Sequence, residues 1–158
     1  DAEIWAGGAA ANLSDFEVGA WGVGGQFGAQ WQFDDFWSVF ADYTFSYHFE
    51  REASEPEAES IPADVVNALG IGFRYNLDVF TYVPYFGLAA MGYLDSPQVA
   101  DESLNANAGA KFVLGVDYRW DRAWSLGLVG EIHALVSDLS RYPIYTVFSV
   151  NIGYHFRL

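Results

Sequence analysis

The feature that most constrains this chain is an alternation of apolar and polar residues with a period of two. In residues 37–49, Trp, Val, Ala, Tyr and Phe occupy the odd positions, while Ser, Asp, Thr and His occupy most of the even ones. Residues 104–120 carry nine apolar residues in strict alternation, and residues 144–158 show the pattern again. Because successive side chains of a strand point to opposite faces, the pattern predicts β-strands with one apolar and one polar face.

Eight segments carry this alternation. The predicted strands cover residues 2–11, 18–33, 36–49, 63–76, 82–94, 104–119, 124–136 and 144–158, and the connections between them are alternately longer and shorter. Closing such a sheet on itself removes its exposed edges. The sequence therefore predicts an all-β fold, an eight-stranded antiparallel up-and-down β-barrel. With no break in composition, it predicts a single domain over residues 1–158.

The next question is which face of this barrel lies inside. A soluble lipocalin-type barrel places its apolar face inward, whereas a transmembrane barrel places it outward against lipid. The polar face combines charged residues with many glycines, which suits the crowded interior of an eight-stranded barrel. The opposite face is rich in Trp, Phe and Tyr, which would form large apolar patches in water. This distribution favours the transmembrane β-barrel.

Aromatic residues concentrate near the two ends of the predicted strands, as expected of interfacial girdles. The first predicted girdle, beside the short turns, contains Trp31, Trp37, Trp120, Trp124, Tyr154 and Phe156, and Trp5 is grouped with it. The second, at the opposite rim, contains Tyr47, Phe49, Tyr93 and Tyr142. Together they would bracket an apolar band.

The charge balance excludes one class of partner. The chain has 7 basic and 21 acidic residues, a formal net charge of -14, so it has no basic surface for nucleic acid. It contains no cysteine, which excludes disulfides and thiolate chemistry. Its first residues, Asp1-Ala2-Glu3, suit an exported protein whose leader has been removed.

Two segments of the chain resemble segments of a known group of proteins. Residues 84–93, Pro-Tyr-Phe-Gly-Leu-Ala-Ala-Met-Gly-Tyr, and the terminal strand 150–158 resemble those of the small eight-stranded bacterial outer-membrane proteins, the group of the OmpA transmembrane domain, OmpX and OmpW. The chain departs from that group in ending at Leu158, with Phe156 two residues earlier. The resemblance implies location in the bacterial outer membrane, recognition of the last strand by the assembly machinery, short turns in the periplasm and longer loops outside. It implies no particular activity, because the fold hosts anchors, pores, adhesion proteins and lipid-modifying enzymes.

The inward charges are the first candidate site. This predicted lumen charge network consists of Asp42, Arg74, Lys111, Asp117, Arg119, Glu131 and His133. Lys111 and Glu131 are predicted at mid-height with Asp42 across the barrel. Buried charges require partners, so we expect salt bridges that plug the lumen. The alternative is a gate or narrow ion path.

An acidic segment in the longest predicted external loop is the second candidate. It contains Glu50, Glu52, Glu55, Glu57 and Glu59 and ends at Pro62. Such runs are commonly solvated loops. The alternative is an element that binds a basic partner or the divalent cations that bridge lipopolysaccharide.

Catalytic and metal chemistry have weaker support. Glu131, His133 and Ser137 contain the residue types of an acyl-transfer triad, but Glu131 and His133 are predicted in the lumen and Ser137 in a loop. The three histidines are predicted on different strands, so we expect no metal site and no cofactor. The sequence thus predicts a non-catalytic outer-membrane protein that contacts lipid and lipopolysaccharide and presents its external loops to a possible protein partner. A narrow pore is the alternative, and a lipid-modifying enzyme is less favoured.

Overall fold

The computed structural model of this protein describes residues 1–14, 19–49, 64–77, 81–97, 105–136 and 144–156. These contain eight strands: β1 (Ala2–Ser14), β2 (Gly19–Gln32), β3 (Trp37–His48), β4 (Asp64–Asn76), β5 (Tyr82–Pro97), β6 (Asn105–Arg119), β7 (Trp124–Leu135) and β8 (Ile144–Phe156). The prediction of eight strands is confirmed, although β1 and β5 each extend three residues further than expected. No helix in these ranges is long and apolar enough to cross a membrane.

Each strand pairs antiparallel with its neighbours in sequence, and the sheet closes by pairing β1 with β8. Ala2 lies opposite Trp31 of β2 on one side and Phe156 of β8 on the other. This confirms the predicted closed up-and-down barrel. We call the end where β1 begins, β8 ends and the three short connections lie the turn end, and the opposite end the loop end.

The turn end is closed by tight connections with local hydrogen bonds. In the β6–β7 connection, the Asp121 carboxylate accepts hydrogen bonds from the backbone N–H groups of Ala123 at 2.7 Å and Trp124 at 2.8 Å. A side chain that satisfies backbone donors two and three residues ahead is a typical turn former. In the β4–β5 connection, the Leu77 N–H donates to the carbonyl of Pro84 at 2.8 Å. These turns fix the register of the hairpins.

The interior is filled by large side chains that pack against glycines. Tyr85 lies where a Cβ on Gly115 would have to be, and Met91 occupies the corresponding space at Gly70. An eight-stranded barrel is just wide enough for its interior side chains to fill it, so bulky residues require small ones across from them. The interior is therefore less uniformly polar than the sequence suggested. It contains a cluster of buried apolar residues: Ala11, Leu13, Phe40, Val66, Ala68, Tyr85, Ala89, Met91, Tyr93, Val113, Val129, Leu135, Tyr145 and Val147.

The outer surface is apolar along the whole barrel. Its exposed side chains include Phe27, Leu69, Ile71, Leu88, Leu114, Leu128, Ile132, Phe148 and Val150. This face is what a hydrocarbon environment requires and is incompatible with an exterior in water. The structure thus agrees with the transmembrane interpretation.

The structure corrects two aromatic assignments. Trp5 points inward and packs against the interior cluster, so it is not part of the outer girdle. Tyr93 is also interior, only 2% exposed. Both residues occupy inward-facing positions of their strands. The direction of a side chain depends on whether its position in the strand is odd or even, which we call strand parity, and not on its distance from the rim. Tyr142 lies outside the described residues.

The other predicted girdle residues lie at the barrel ends. Trp31, Trp37, Trp120, Trp124 and Tyr154 are exposed at the turn end, while Phe156 is half-buried there. Trp124 packs against Tyr154 with ring centroids 5.0 Å apart. Tyr47 and Phe49 are exposed at the loop end and contact each other.

Candidate functional site

The centre of the barrel is crossed by a three-residue ion cluster, which we call the lysine bridge. Lys111 of β6 donates through its ammonium to Asp42 of β3 and to Glu131 of β7, the latter at 3.0 Å. None of the three side chains is more than 1% exposed. The bridge therefore joins opposite walls of the barrel through charges that have almost no contact with solvent.

The lysine bridge continues towards the loop end through Glu131. Its carboxylate also accepts a hydrogen bond from Gln26 at 3.2 Å and lies 3.1 Å from Nε2 of His133. The other ring nitrogen of His133, Nδ1, is 2.9 Å from the Tyr93 hydroxyl. Both nitrogens of this buried histidine are thus already engaged by lumen partners.

A second polar group lies closer to the loop end. The Ser46 hydroxyl is 2.9 Å from Nε2 of His48 and 2.9 Å from the Tyr145 hydroxyl. Nδ1 of His48 is 3.0 Å from the backbone carbonyl of Ala20. The Tyr145 ring also contacts His133, with centroids 4.8 Å apart, so this group packs directly on the lysine bridge system.

A third polar group lies towards the turn end, centred on Arg74. Its guanidinium forms an ion pair with Asp117, and its Nε donates to Asn76 at 2.6 Å. The guanidinium carbon lies 3.3 Å from the centroid of the Tyr85 ring, a cation–π contact. This buried arginine is therefore held by a charge, an amide and an aromatic face together.

Glu3 occupies the boundary between the interior and the turn end. Its carboxylate accepts hydrogen bonds from Gln30 at 2.5 Å and from Ser125 at 3.3 Å. Nε2 of His155 lies 3.6 Å from the same carboxylate and 3.0 Å from the Ser125 hydroxyl. Beyond this group, a vestibule of about 830 Å³ opens at the turn end, and Arg119 lines it.

A small internal cavity of about 30 Å³ separates the lysine bridge from the turn-end groups. Its lining includes Asp42 and Glu131 on one side and Glu3, Arg74 and Asp117 on the other. A cavity of this size has room for about two water molecules. It is far too small to be a water-filled channel through the barrel.

The structure brings the predicted lumen residues into separate groups. Lys111, Asp42, Glu131 and His133 form one connected system, Arg74 and Asp117 form a pair, and Arg119 lies apart at the vestibule. The residues of the predicted acidic segment (Glu50, Glu52, Glu55, Glu57 and Glu59) lie outside the described residues, and so do Ser137 and Leu158.

Sequence reasoning missed several members of these groups. Glu3, Tyr93 and Tyr145 were not among the candidate site residues, although all three occupy inward-facing positions of their strands. Strand parity alone could have found them, because it places every second residue inside. Within the described residues, no group of three His, Asp or Glu side chains is arranged to hold a metal ion.

The fold of this chain is similar to that of several solved structures. The Neisserial surface protein A (NspA) has a TM-score of 0.79 and 16% identity, covering 98% of this chain and 97% of its own. Ail of Yersinia pestis, solved in complex with the heparin analogue sucrose octasulfate, has a TM-score of 0.67 and 12% identity over 98% and 97%. The outer membrane enzyme PagL has a TM-score of 0.57 and 12% identity, covering 98% of this chain and 99% of its own. No protein-family model and no curated protein matches the sequence.

At these identities the similarity shows the fold alone. The chain has the fold of the small eight-stranded outer-membrane β-barrels, as the alternation and the two quoted segments indicated. The fold includes an enzyme as well as proteins that are not described as enzymes, so it does not determine an activity.

Proposed function

We propose that this protein is a non-catalytic, integral protein of the bacterial outer membrane, a single barrel domain with a closed lumen that presents its longer loops outside. The observation that carries the proposal is the lysine bridge. A water-filled path through the barrel would expose Lys111, Asp42 and Glu131, whereas their side chains are at most 1% exposed. The lumen then serves as the core of a rigid anchor.

The position of His133 supports a non-catalytic role. An acyl-transfer base needs a ring nitrogen directed at a nucleophile and access to substrate. Both nitrogens of His133 are occupied, by Tyr93 and Glu131, and its side chain has no exposed surface. A lipid substrate would contact the outer face of the barrel, on the opposite side of the wall from this histidine.

The exterior supports membrane residence and contact with lipid. Exposed aliphatic and aromatic side chains cover the barrel wall, and exposed tryptophans lie at its turn end. We infer that the loop end faces the cell exterior, where the acidic segment of residues 50–59 would meet lipopolysaccharide, its bridging divalent cations or a basic protein partner. The last strand would be the segment recognised by the assembly machinery.

Single-channel conductance in a planar bilayer tests the closed lumen. We expect no discrete openings from the refolded protein after its insertion has been verified by protease protection. Lys111→Ala and Glu131→Ala are measured beside it, because each removes one member of the bridge. Steady openings of the unaltered protein, changed in conductance or selectivity by either substitution, would show a narrow pore and overturn the closed-lumen proposal.

A second measurement tests the loops. Binding to lipopolysaccharide-containing vesicles is compared, with and without Mg²⁺, between the unaltered protein and a variant with all five glutamates of the acidic segment replaced by Gln. We expect the Mg²⁺-dependent part of the binding to fall in this variant. Unchanged binding would remove the acidic segment from the proposed interaction surface.

A further inference from the structure

Several residues that line the internal cavity beside the lysine bridge carry a buried oxygen atom without a partner. Six buried side-chain polar atoms of the described residues have no hydrogen-bond partner. Three of them, Gln26 Oε1, Asp42 Oδ1 and Asn151 Oδ1, belong to residues that line this one cavity of about 30 Å³. The three residues are at most 5% exposed. Leaving one such group unsatisfied costs about 1–3 kcal/mol, so three at one cavity indicate a missing partner.

All three atoms can only accept. The amide nitrogen of Gln26 donates to Glu131 at 3.2 Å, and that of Asn151 donates to Ser149 at 3.4 Å. The first contact fixes the orientation of the Gln26 amide, because a carboxylate only accepts, and the Asn151 amide is placed with its nitrogen on Ser149 and its oxygen unpartnered. The other Asp42 oxygen already binds Lys111. The missing partner must therefore be a donor or a cation.

The charges around the cavity favour a cation. Four carboxylates border it or belong to its bridge: Glu3, Asp42, Asp117 and Glu131. Three side chains that are positive at every ordinary pH oppose them: Arg74 and Lys111 in the lumen, and Arg119 at the vestibule, so one negative charge is in excess. The histidines in contact, His133 beside Glu131 and His155 beside Glu3, are ordinarily neutral at pH 8. Buried negative charge in excess requires compensation.

We propose that this cavity binds a small monovalent cation, Na⁺ or K⁺, together with water, through Asp42 Oδ1 and the amide oxygens of Gln26 and Asn151. Hard cations prefer carboxylate and amide oxygens. A divalent ion is disfavoured because Ca²⁺ requires six to eight oxygen ligands and Mg²⁺ a near-ideal octahedron, and because the ammonium of Lys111 already shares Asp42. The site does not depend on the role of the external loops.

The cation would reach the cavity from the turn end. The Ser125 hydroxyl, which lines the cavity, contacts His155, which lines the vestibule. Glu3 lies beside this contact, within 3.3 Å of the Ser125 hydroxyl and 3.6 Å of His155, and contributes a further negative charge at that point. The lysine bridge closes the opposite side.

Thermal unfolding tests the site, with the refolded protein in detergent micelles at pH 8. The midpoint is measured in NaCl, in KCl and in N-methyl-D-glucamine chloride, whose cation is too large for the cavity, all at the same ionic strength. We expect a midpoint higher by a few degrees in NaCl or KCl, rising with its concentration until saturation, because a ligand that binds only the folded state stabilises it. Equal midpoints in the three salts would overturn the proposal.

Three variants distinguish cation binding in the cavity from a general effect of salt on the acidic surface of the protein. Asn151→Leu removes one ligand oxygen and should abolish the difference between the salts, whereas Tyr93→Phe, on the far side of the bridge, should lower the midpoint equally in all salts. Asn151→Asp should enlarge the difference, since a second carboxylate strengthens cation binding. If the unfolding midpoint of Asn151→Leu still differs between the salts, the difference arises at the protein surface and the cavity proposal is wrong. If Asn151→Asp lowers the midpoint equally in every salt, the cavity holds water alone.

Discussion

Replacing Lys111 by Met is the most informative single test of the interior, because the contacts of its two partners differ. After the substitution, Glu131 keeps hydrogen bonds with Gln26 at 3.2 Å and with His133 at 3.1 Å. Asp42 keeps none of its described contacts, since its Oδ2 binds only Lys111 and its Oδ1 has no partner. Removing one member of a buried ion pair costs about 3–5 kcal/mol, and we expect Lys111→Met to lie in that range.

The second step of the test removes the charge of Asp42, which has lost its partner Lys111. Asp42→Asn on the Lys111→Met background should restore most of the lost stability, because the unpaired charge on Asp42 causes most of the loss while Glu131 remains partnered. The coupling energy between the two positions comes from the double-mutant cycle. Asp42→Asn alone should be destabilising, because it leaves Lys111 with a single carboxylate.

The assay is equilibrium urea unfolding of the refolded barrel in micelles, followed by tryptophan fluorescence. It is run at one fixed concentration of N-methyl-D-glucamine chloride, so that no small cation compensates the charge on Asp42. Arg122→Met serves as a matched control, since it also removes a cation, but one that is exposed at the vestibule. It should cost less than about 1 kcal/mol, as expected for a solvated charge. A comparably small loss for Lys111→Met would refute the reasoning, because it would show that water reaches the bridge.

The remaining predictions concern the wall of the barrel. Gly72→Ala should destabilise by about 1–3 kcal/mol, since its Cβ would collide with the backbone of β5, whereas Gly92→Ala, whose Cβ meets nothing within 4 Å, should be nearly neutral in the same unfolding assay. In single-tryptophan variants reconstituted with brominated lipids, Trp31 fluorescence should be strongly quenched and Trp5 fluorescence weakly, because Trp31 is 56% exposed on the outer face and Trp5 points inward. Equal quenching of the two would contradict the inward direction of Trp5.

The candidate site was only partly predictable from the sequence. Strand parity places Lys111, Glu131 and Asp42 inside, and similar heights on their strands bring them near one level. Their pairing, however, joins β3 to β6 across the barrel, between residues 69 positions apart. Such a contact depends on closure and on the register of every intervening strand pair.

The sequence by itself determined the number of strands, the approximate positions of the turns and the division of the strands into an apolar and a polar face, because alternation with a period of two directly reflects the geometry of an extended chain. Only the tertiary structure decided how the interior is filled. Trp5 and Tyr93 lie inside because a barrel of eight strands must pack its own centre, and Gly28 leaves the space that the Trp5 ring occupies. The unpartnered oxygens around the cavity likewise arise only where side chains from distant strands meet.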